Sequence, residues 1–153
     1  REIPTLEPIA LTSLFKTIKE LTQLQATNYN LRLTFKPTDL SVTSDLKWLQ
    51  MLLISLIDDA ITATKLGDIT LSARAEGNYV LLDLEADRPA SDLSVTIDTS
   101  LYGREVDLSN LSSVYLSTGL TLAIAQEMLK PLNGELLLPE EVSVITIKLP
   151  AAI

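Results

Sequence analysis

The fold is decided by residues 45–63, which read DLKWLQMLLISLIDDAITA. Their leucine and isoleucine residues recur at spacings of three and four, which predicts a helix with one buried face. Ser44 and Asp45 form a good cap pair at its start. The apolar run stops at Asp58, well short of the roughly 20 residues that a membrane helix needs. The stretch therefore predicts a buried helix whose core face consists of Leu46, Leu49, Leu53, Leu56, Ile57 and Ala60.

A helix and a strand are predicted before this stretch. Pro8 suits the first turn of the earlier helix, whose apolar stripe consists of Leu11, Leu14, Phe15, Ile18, Leu21 and Leu24. Residues 31–36 alternate between apolar and polar side chains, which is typical of a half-buried strand, and Pro37 ends it. Gly67 follows the central helix where a helix end or a tight loop is expected.

The second half of the chain predicts four strands and one helix. Residues 68–74 and 79–86 form two strands joined through Gly77-Asn78, a hairpin signal. Residues 87–110 are predicted to form a long loop with a short strand-like patch at 93–97. Asn133-Gly134 is predicted to turn the chain into the last strands, 135–138 and 142–149.

The helix of this second half is predicted to run from about Gly119 to Lys130, where Pro131 stops it. Its inner side is predicted to carry Leu120, Ala123, Ile124 and Met128. The resulting order of elements predicts an α/β two-layer sandwich, a mixed sheet with three helices on one face. Residues 1–153 are predicted to form a single domain.

The composition excludes several classes of function. The 153 residues contain no His and no Cys, so a Ser-His-Asp triad, a zinc finger and a disulfide framework are excluded. A net charge of −8 disfavours nucleic-acid binding, which needs Lys and Arg. Five glycines leave little room for a glycine-rich phosphate loop. Because the chain starts at Arg1 and not at Met, we expect a C-terminal fragment of a longer protein. The apolar fraction of 46%, with only 21% charged residues, also predicts apolar surface that a partner covers in the full protein.

Two runs of the chain match the motif frame of one known family. Ser55-Leu56-Ile57-Asp58-Asp59-Ala60-Ile61-Thr62 stands where the family has an N-box of the form N-L-L-x-N-A-x-K. Ser117-Thr118-Gly119-Leu120-Thr121-Leu122-Ala123-Ile124 stands where it has a second glycine box, G-T-G-L-G-L-A-I. The chain thus resembles the ATP-binding catalytic domain of sensor histidine kinases, a member of the Bergerat-fold ATPases, over nearly its whole length.

The resemblance places nucleotide-binding roles on helix positions whose residues have changed. The first Asn of the N-box is Ser55 here, the Mg²⁺-binding Asn is Asp59, and the phosphate-facing Lys is Thr62. In the second glycine box only Gly119 remains, between Thr118 and Thr121. We expect either a residual anion site at the start of the third helix or plain capping by Ser117 or Thr118.

The first glycine box of the family, D-x-G-x-G, has also changed. Its adenine-reading Asp corresponds to Ala86, unless Asp87 substitutes by a shift of one residue. Arg88 and Ala90 stand where the family has glycines. Arg88 would either contact a phosphate or remain a solvated loop residue.

These changes predict a degenerate domain of a sensor histidine kinase or related phosphotransfer protein. Its ATP binding would be lost or weak, without a cofactor or catalytic residue, and it would signal through protein contacts. The alternative is a divergent working domain that binds Mg-ATP through Asp59, Asp87 and the amides around Gly119. A third class is a pure protein-binding domain, for dimerisation or regulator docking.

The resemblance also implies partners. We expect the other domains of the same signalling protein, a response regulator or regulatory protein, and homodimerisation through an upstream helical domain. We expect no nucleic acid and no direct membrane insertion, and a cytoplasmic location.

Overall fold

The elements follow one another in the predicted order, with two additional short strands. The computed structural model describes residues 3–64, 67–86, 113–138 and 144–152, with the backbone alone for 113–120. The helices are α1 (Leu11–Asn28), α2 (Leu46–Ala63) and α3 (Ser113–Leu129), the last followed by a 3₁₀ turn, Lys130–Leu132. The strands are β1 (Glu7–Ala10), β2 (Arg32–Phe35), β3 (Ser41–Ser44), β4 (Asp68–Glu76), β5 (Tyr79–Ala86), β6 (Glu135–Leu137) and β7 (Val144–Pro150).

The main sheet is mixed, as predicted. Its five strands lie in the order β2-β4-β5-β7-β6, with β2 parallel to β4 and the other neighbours antiparallel. The helices supply apolar side chains to one face of this sheet, where Leu71, Leu82 and Ile147 are buried. The other face carries polar residues such as Asp83 and Thr146. The predicted two-layer α/β sandwich is confirmed.

The sequence analysis missed a second, two-stranded sheet formed by β1 and β3. The two strands pair antiparallel, with Pro8 opposite Thr43. Pro8 therefore lies in a strand and not in the first turn of α1, so that prediction was wrong. Strands of four residues without clear alternation give little periodic signal.

The central helix α2 begins as predicted. The backbone N–H of Trp48 donates to the Asp45 side chain at 3.0 Å, which makes Asp45 the N-cap. The predicted core face is buried except for Leu46, which is 40% exposed because it stands in the first turn, at the rim. The hairpin is also confirmed, since Gly77 has a φ of +59° in the two-residue turn between Glu76 and Tyr79.

The buried faces of α1 and α3 differ from the prediction. In α1, Leu21 and Leu24 are 61% and 74% exposed, and Thr22 and Ala26 are buried in their place. The Thr22 hydroxyl donates to the Ile18 carbonyl at 2.8 Å, so its polar group is satisfied inside the helix. Small side chains at these positions let the last turns of α1 lie close to the core.

Helix α3 begins at Ser113, so the prediction of a start near Gly119 was wrong. The predicted inner positions Ala123 and Met128 are half-buried and Ile124 is 58% exposed, whereas the core side is formed by Leu122, Ala125 and Leu129. The predicted end of this helix is confirmed to within one residue, since α3 ends at Leu129 and Pro131 lies in the 3₁₀ turn that follows, where a missing N–H is tolerated. The predicted turn at Asn133-Gly134 is present, with Asn133 in the left-handed region.

Candidate nucleotide site

Helix α2 carries the three N-box positions on one side near its C-terminal end. Ser55, Asp59 and Thr62 are separated by four and three residues, which places them on one helix face. Ser55 and Thr62 are exposed, whereas Asp59 is only 7% exposed. The Thr62 hydroxyl donates to the Asp59 carbonyl at 2.9 Å. A neutral hydroxyl thus stands at the position of the family's phosphate-facing cation.

Asp58 adds a second carboxyl group beside Asp59. It is half-buried, and burial raises the pKa of its carboxyl group. Two adjacent carboxyl groups disfavour a polyphosphate when no metal ion lies between them. The described part of the chain contains no group of three or more acidic residues placed to hold a metal ion. A metal role for Asp59 stays a prediction.

Strand β5 ends at the position that the resemblance assigns to adenine recognition. Ala86 is the last residue of β5, is 3% exposed and pairs with Ile69 at the start of β4. Its methyl group belongs to the core cluster and offers no hydrogen-bond acceptor. Asp87, Arg88 and Ala90 lie outside the described residues, as does the predicted patch at 93–97, so the roles given to these residues stay predictions.

The second glycine box lies within α3 instead of at its start. Helix α3 begins six residues before Gly119, so Ser117 and Thr118 are not N-caps, and that expectation was wrong. In a helix only the first four N–H groups lack a partner along the helix. The N–H groups of Thr118 and Gly119 come after these first four N–H groups of α3. Thr121 is half-buried on the same helix.

The chain leads from the end of α2 to the start of β4, which lies beside the end of β5. Helix α2 ends at Ala63 and β4 begins at Asp68, directly beside the end of β5 at Ala86. Helix α3 packs against α2. Ala86 thus lies beside the start of the strand that follows α2, and the grouping of Asp59, Thr62 and Ala86 into one nucleotide site stays a prediction.

Two further surface features were not found in the sequence. An apolar groove of about 700 Å³ lies between the start of α2 and the last turns of α3, with Trp48, Ile124 and Met128 among its walls. A smaller pocket is lined by Lys16, Lys19 and Lys36, which had not been connected because Lys36 is distant in the chain from the other two. None of the helices in the described ranges is sufficiently long and hydrophobic to cross a bilayer.

The chain has the fold of histidine kinase catalytic domains. No family model matches the sequence, and no curated protein matches it. The histidine kinase AdeS of Acinetobacter baumannii superposes with a TM-score of 0.72 at 20% identity, over 98% of this chain and 69% of that chain. Full-length ShkA in complex with AMPPNP gives 0.70 at 19% identity, over 97% of this chain and 32% of that chain.

A third solved structure has nearly the same extent as this chain. The nucleotide-free catalytic domain of histidine kinase ThkA gives a TM-score of 0.67 at 18% identity, over 95% of each chain. Together the likenesses establish the Bergerat fold that the motif frame had implied. At identities of 18–20% they establish the fold alone.

Proposed function

We propose that this chain is a catalytic-type domain of a sensor histidine kinase, or of a related phosphotransfer protein, in which ATP binding is lost or weak. The observation that carries the proposal is Ala86. The resemblance assigns it the place of the adenine-reading carboxylate, and its side chain is a buried core methyl group. An adenine amino group left unpaired there would cost roughly 1–3 kcal/mol.

The phosphate side of the site supports the same conclusion. Thr62 supplies no positive charge, and Asp59 adds a negative charge where the family has a neutral Asn. Because Thr118 and Gly119 lie inside α3, their N–H groups follow the unpaired first turn that usually binds an anion. Together these changes favour millimolar or weaker affinity for ATP.

The alternative is a divergent working domain, and Asp59 favours it. The resemblance assigns the Mg²⁺ position to this residue, which lies on a well-packed helix, and carboxylate oxygen is a preferred ligand of Mg²⁺. In that case Mg-ATP would bind with Asp87 as the adenine acceptor. The two candidate functions predict different affinities for ATP, and these can be measured.

Calorimetric titration with ATP and ADP, with and without Mg²⁺, tests the proposal. We expect no saturable heat below about 1 mM nucleotide, which corresponds to a binding free energy weaker than about −4 kcal/mol. A dissociation constant of about 10–100 µM (roughly −5 to −7 kcal/mol) would refute loss of binding. If such binding occurs, Asp59→Ala should abolish it under the alternative, whereas Asp39→Ala, which removes an exposed carboxylate outside the three motif positions, is the matched control.

A substitution that restores the missing acceptor gives a second readout. Ala86→Asp should destabilise the free protein by about 1–3 kcal/mol, because it buries an unpaired carboxyl group. If loss of the acceptor is the main defect, millimolar Mg-ATP should restore part of the melting temperature of this variant. The unsubstituted chain should show no such shift.

The proposed biological role is signalling through protein contacts. The partners would be the other domains of the same signalling protein and a response regulator or regulatory protein in the cytoplasm. Dimerisation would occur through an upstream helical domain. The exposed apolar side chains Met51 and Ile124, at 52% and 58% exposure, are consistent with a surface that a partner covers.

A further inference from the structure

A small pocket that carries three lysines lies between α1 and the end of β2. Its volume is about 300 Å³, and its walls include Phe15, Phe35, Lys16, Lys19 and Lys36. These are three of the seven lysines of a chain whose net charge is −8. The pocket therefore concentrates positive charge on a molecule that is acidic as a whole.

The three lysines are not neutralised by neighbouring carboxylates. All three are exposed, and the ion pairs found within the described ranges involve other basic residues, namely Arg32, Arg74 and Lys130. Glu20 and Asp39 are close in sequence but form no ion pair with these lysines. The charge of the pocket is thus available to an external partner.

The lysines surround an aromatic surface. The rings of Phe15 and Phe35 have centroids 5.7 Å apart and planes inclined by 55°. Phe15 is 4% exposed and Phe35 is half-buried, so Phe35 presents part of its ring at the surface. A pocket with an apolar wall and a few polar groups is typical of a site that holds an apolar side chain.

The pocket adjoins the unpaired edge of the main sheet. Strand β2 is the last strand on its side and pairs with β4 alone. The N–H groups of Arg32 and Lys36 donate to carbonyls of the β4 side, Gly67 at 3.3 Å and Leu71 at 2.9 Å. Because successive residues of a strand point their N–H groups to opposite sides, those of Leu33 and Phe35 face away from β4. An extended segment can add to such an edge.

We propose that this pocket and the free edge of β2 form a docking site for an acidic, extended polypeptide segment. The segment pairs with the backbone of β2 at Leu33 and Phe35. Its carboxylates face the three lysines, and one apolar side chain covers the Phe15–Phe35 pair. Charge complementarity identifies the occupant. The lysines at this edge repel a basic strand, and a neutral strand would leave their ammonium groups unpaired. An acidic strand is attracted.

This site is separate from the candidate nucleotide site. Phe35 pairs with Leu71, whereas Ala86 pairs with Ile69, which is two residues or about 7 Å away along β4, and β2 and β5 lie on opposite sides of β4. The inference therefore does not depend on whether the chain binds ATP.

Fluorescence anisotropy with a labelled peptide of sequence Glu-Glu-Leu-Glu-Leu-Glu-Glu tests the proposal at low salt. The Lys16→Gln/Lys36→Gln variant should bind roughly five- to twentyfold more weakly, as expected for the loss of two exposed ion pairs. The matched control, Lys47→Gln/Lys130→Gln, carries the same change in charge and should bind within about twofold of the unsubstituted chain. Equal weakening in both variants, or a dissociation constant above about 1 mM, would overturn the proposal.

Two additional measurements separate this mode of binding from general attraction of anions. Amide hydrogen exchange at Leu33 and Phe35 should slow when the peptide is added, since their N–H groups then pair. Unchanged exchange at both residues contradicts the strand pairing and overturns the proposal. A single-stranded oligonucleotide of equal charge should bind more weakly than the peptide. Equal binding identifies a site for any polyanion, which also overturns it.

Discussion

Asp45 connects the N-terminal segment to the central helix, and its removal should destabilise both. One carboxylate oxygen accepts from the Trp48 N–H at 3.0 Å, which caps α2. The other accepts from the Thr5 N–H at 2.7 Å, which holds the segment before β1. Asp45→Ala removes both hydrogen bonds, and Asp45→Asn keeps a capping oxygen but replaces the other acceptor by a donor.

The two contacts determine the expected size of the effect. Loss of an N-cap costs about 1 kcal/mol, and loss of a hydrogen bond to a charged group costs about 1.5–3 kcal/mol when buried and less at this half-exposed site. We expect Asp45→Ala to lower the free energy of unfolding by about 2 kcal/mol. At this chain length the melting temperature should fall by roughly 4–8 °C. Asp45→Asn should lose about half as much.

The same carboxylate should produce a pH dependence. Burial raises the pKa of Asp45, but hydrogen bonds from the backbone N–H groups of Trp48, Thr5 and Lys47 outweigh this, so the pKa lies below its ordinary value. The stabilisation is therefore complete above the pKa of the unfolded chain and is lost as the pH falls through the lower pKa of the folded chain.

Urea denaturation between about pH 3 and pH 7 measures both effects. The difference in stability between the unsubstituted chain and Asp45→Asn should shrink as the pH falls below about 5. A loss of less than about 0.5 kcal/mol for Asp45→Ala would refute the capping argument. A difference that is constant with pH would refute the role of the charge.

Two other predictions concern the sheet. A Cβ atom at Gly134 would lie 2.8 Å from the Lys148 carbonyl oxygen, whereas at Gly77 it would meet nothing within 4 Å. Gly134→Ala should therefore cost about 1–3 kcal/mol through crowding, and Gly77→Ala about 1 kcal/mol through its positive φ alone, as thermal unfolding of the two variants would show. On the polar face, Arg74 Nε lies 2.8 Å from a carboxylate oxygen of Asp83, whose side chain is 14% exposed. A double-mutant cycle with Arg74→Ala and Asp83→Ala should give a coupling of about 0.5–1 kcal/mol that falls at high salt, and zero coupling would show that the pair contributes nothing.

The sequence predicted the type and order of most elements because their signals are local. The alternation around Leu33, the Gly77-Asn78 turn and the Asp45 cap each depend on neighbours within a few residues. The alanine at position 86, where the resemblance leads us to expect an acidic residue, was also visible in the sequence, and the role of this position stays a prediction. The predicted start of α3 was six residues too late, because Gly119 was assigned the role that this glycine has in the family's second glycine box.

The helical period and the turn residues are properties of the chain itself, and they sufficed to predict an α/β sandwich. Which side of a helix is buried depends on what packs against it. For that reason Thr22 and not Leu21 lies in the core, and no local sequence pattern predicts this. The lysine pocket has the same origin, since Lys19 and Lys36 meet only because α1 packs on β2. Burial and the clustering of charges depend on residues that are distant in the sequence, so only the folded structure defines them.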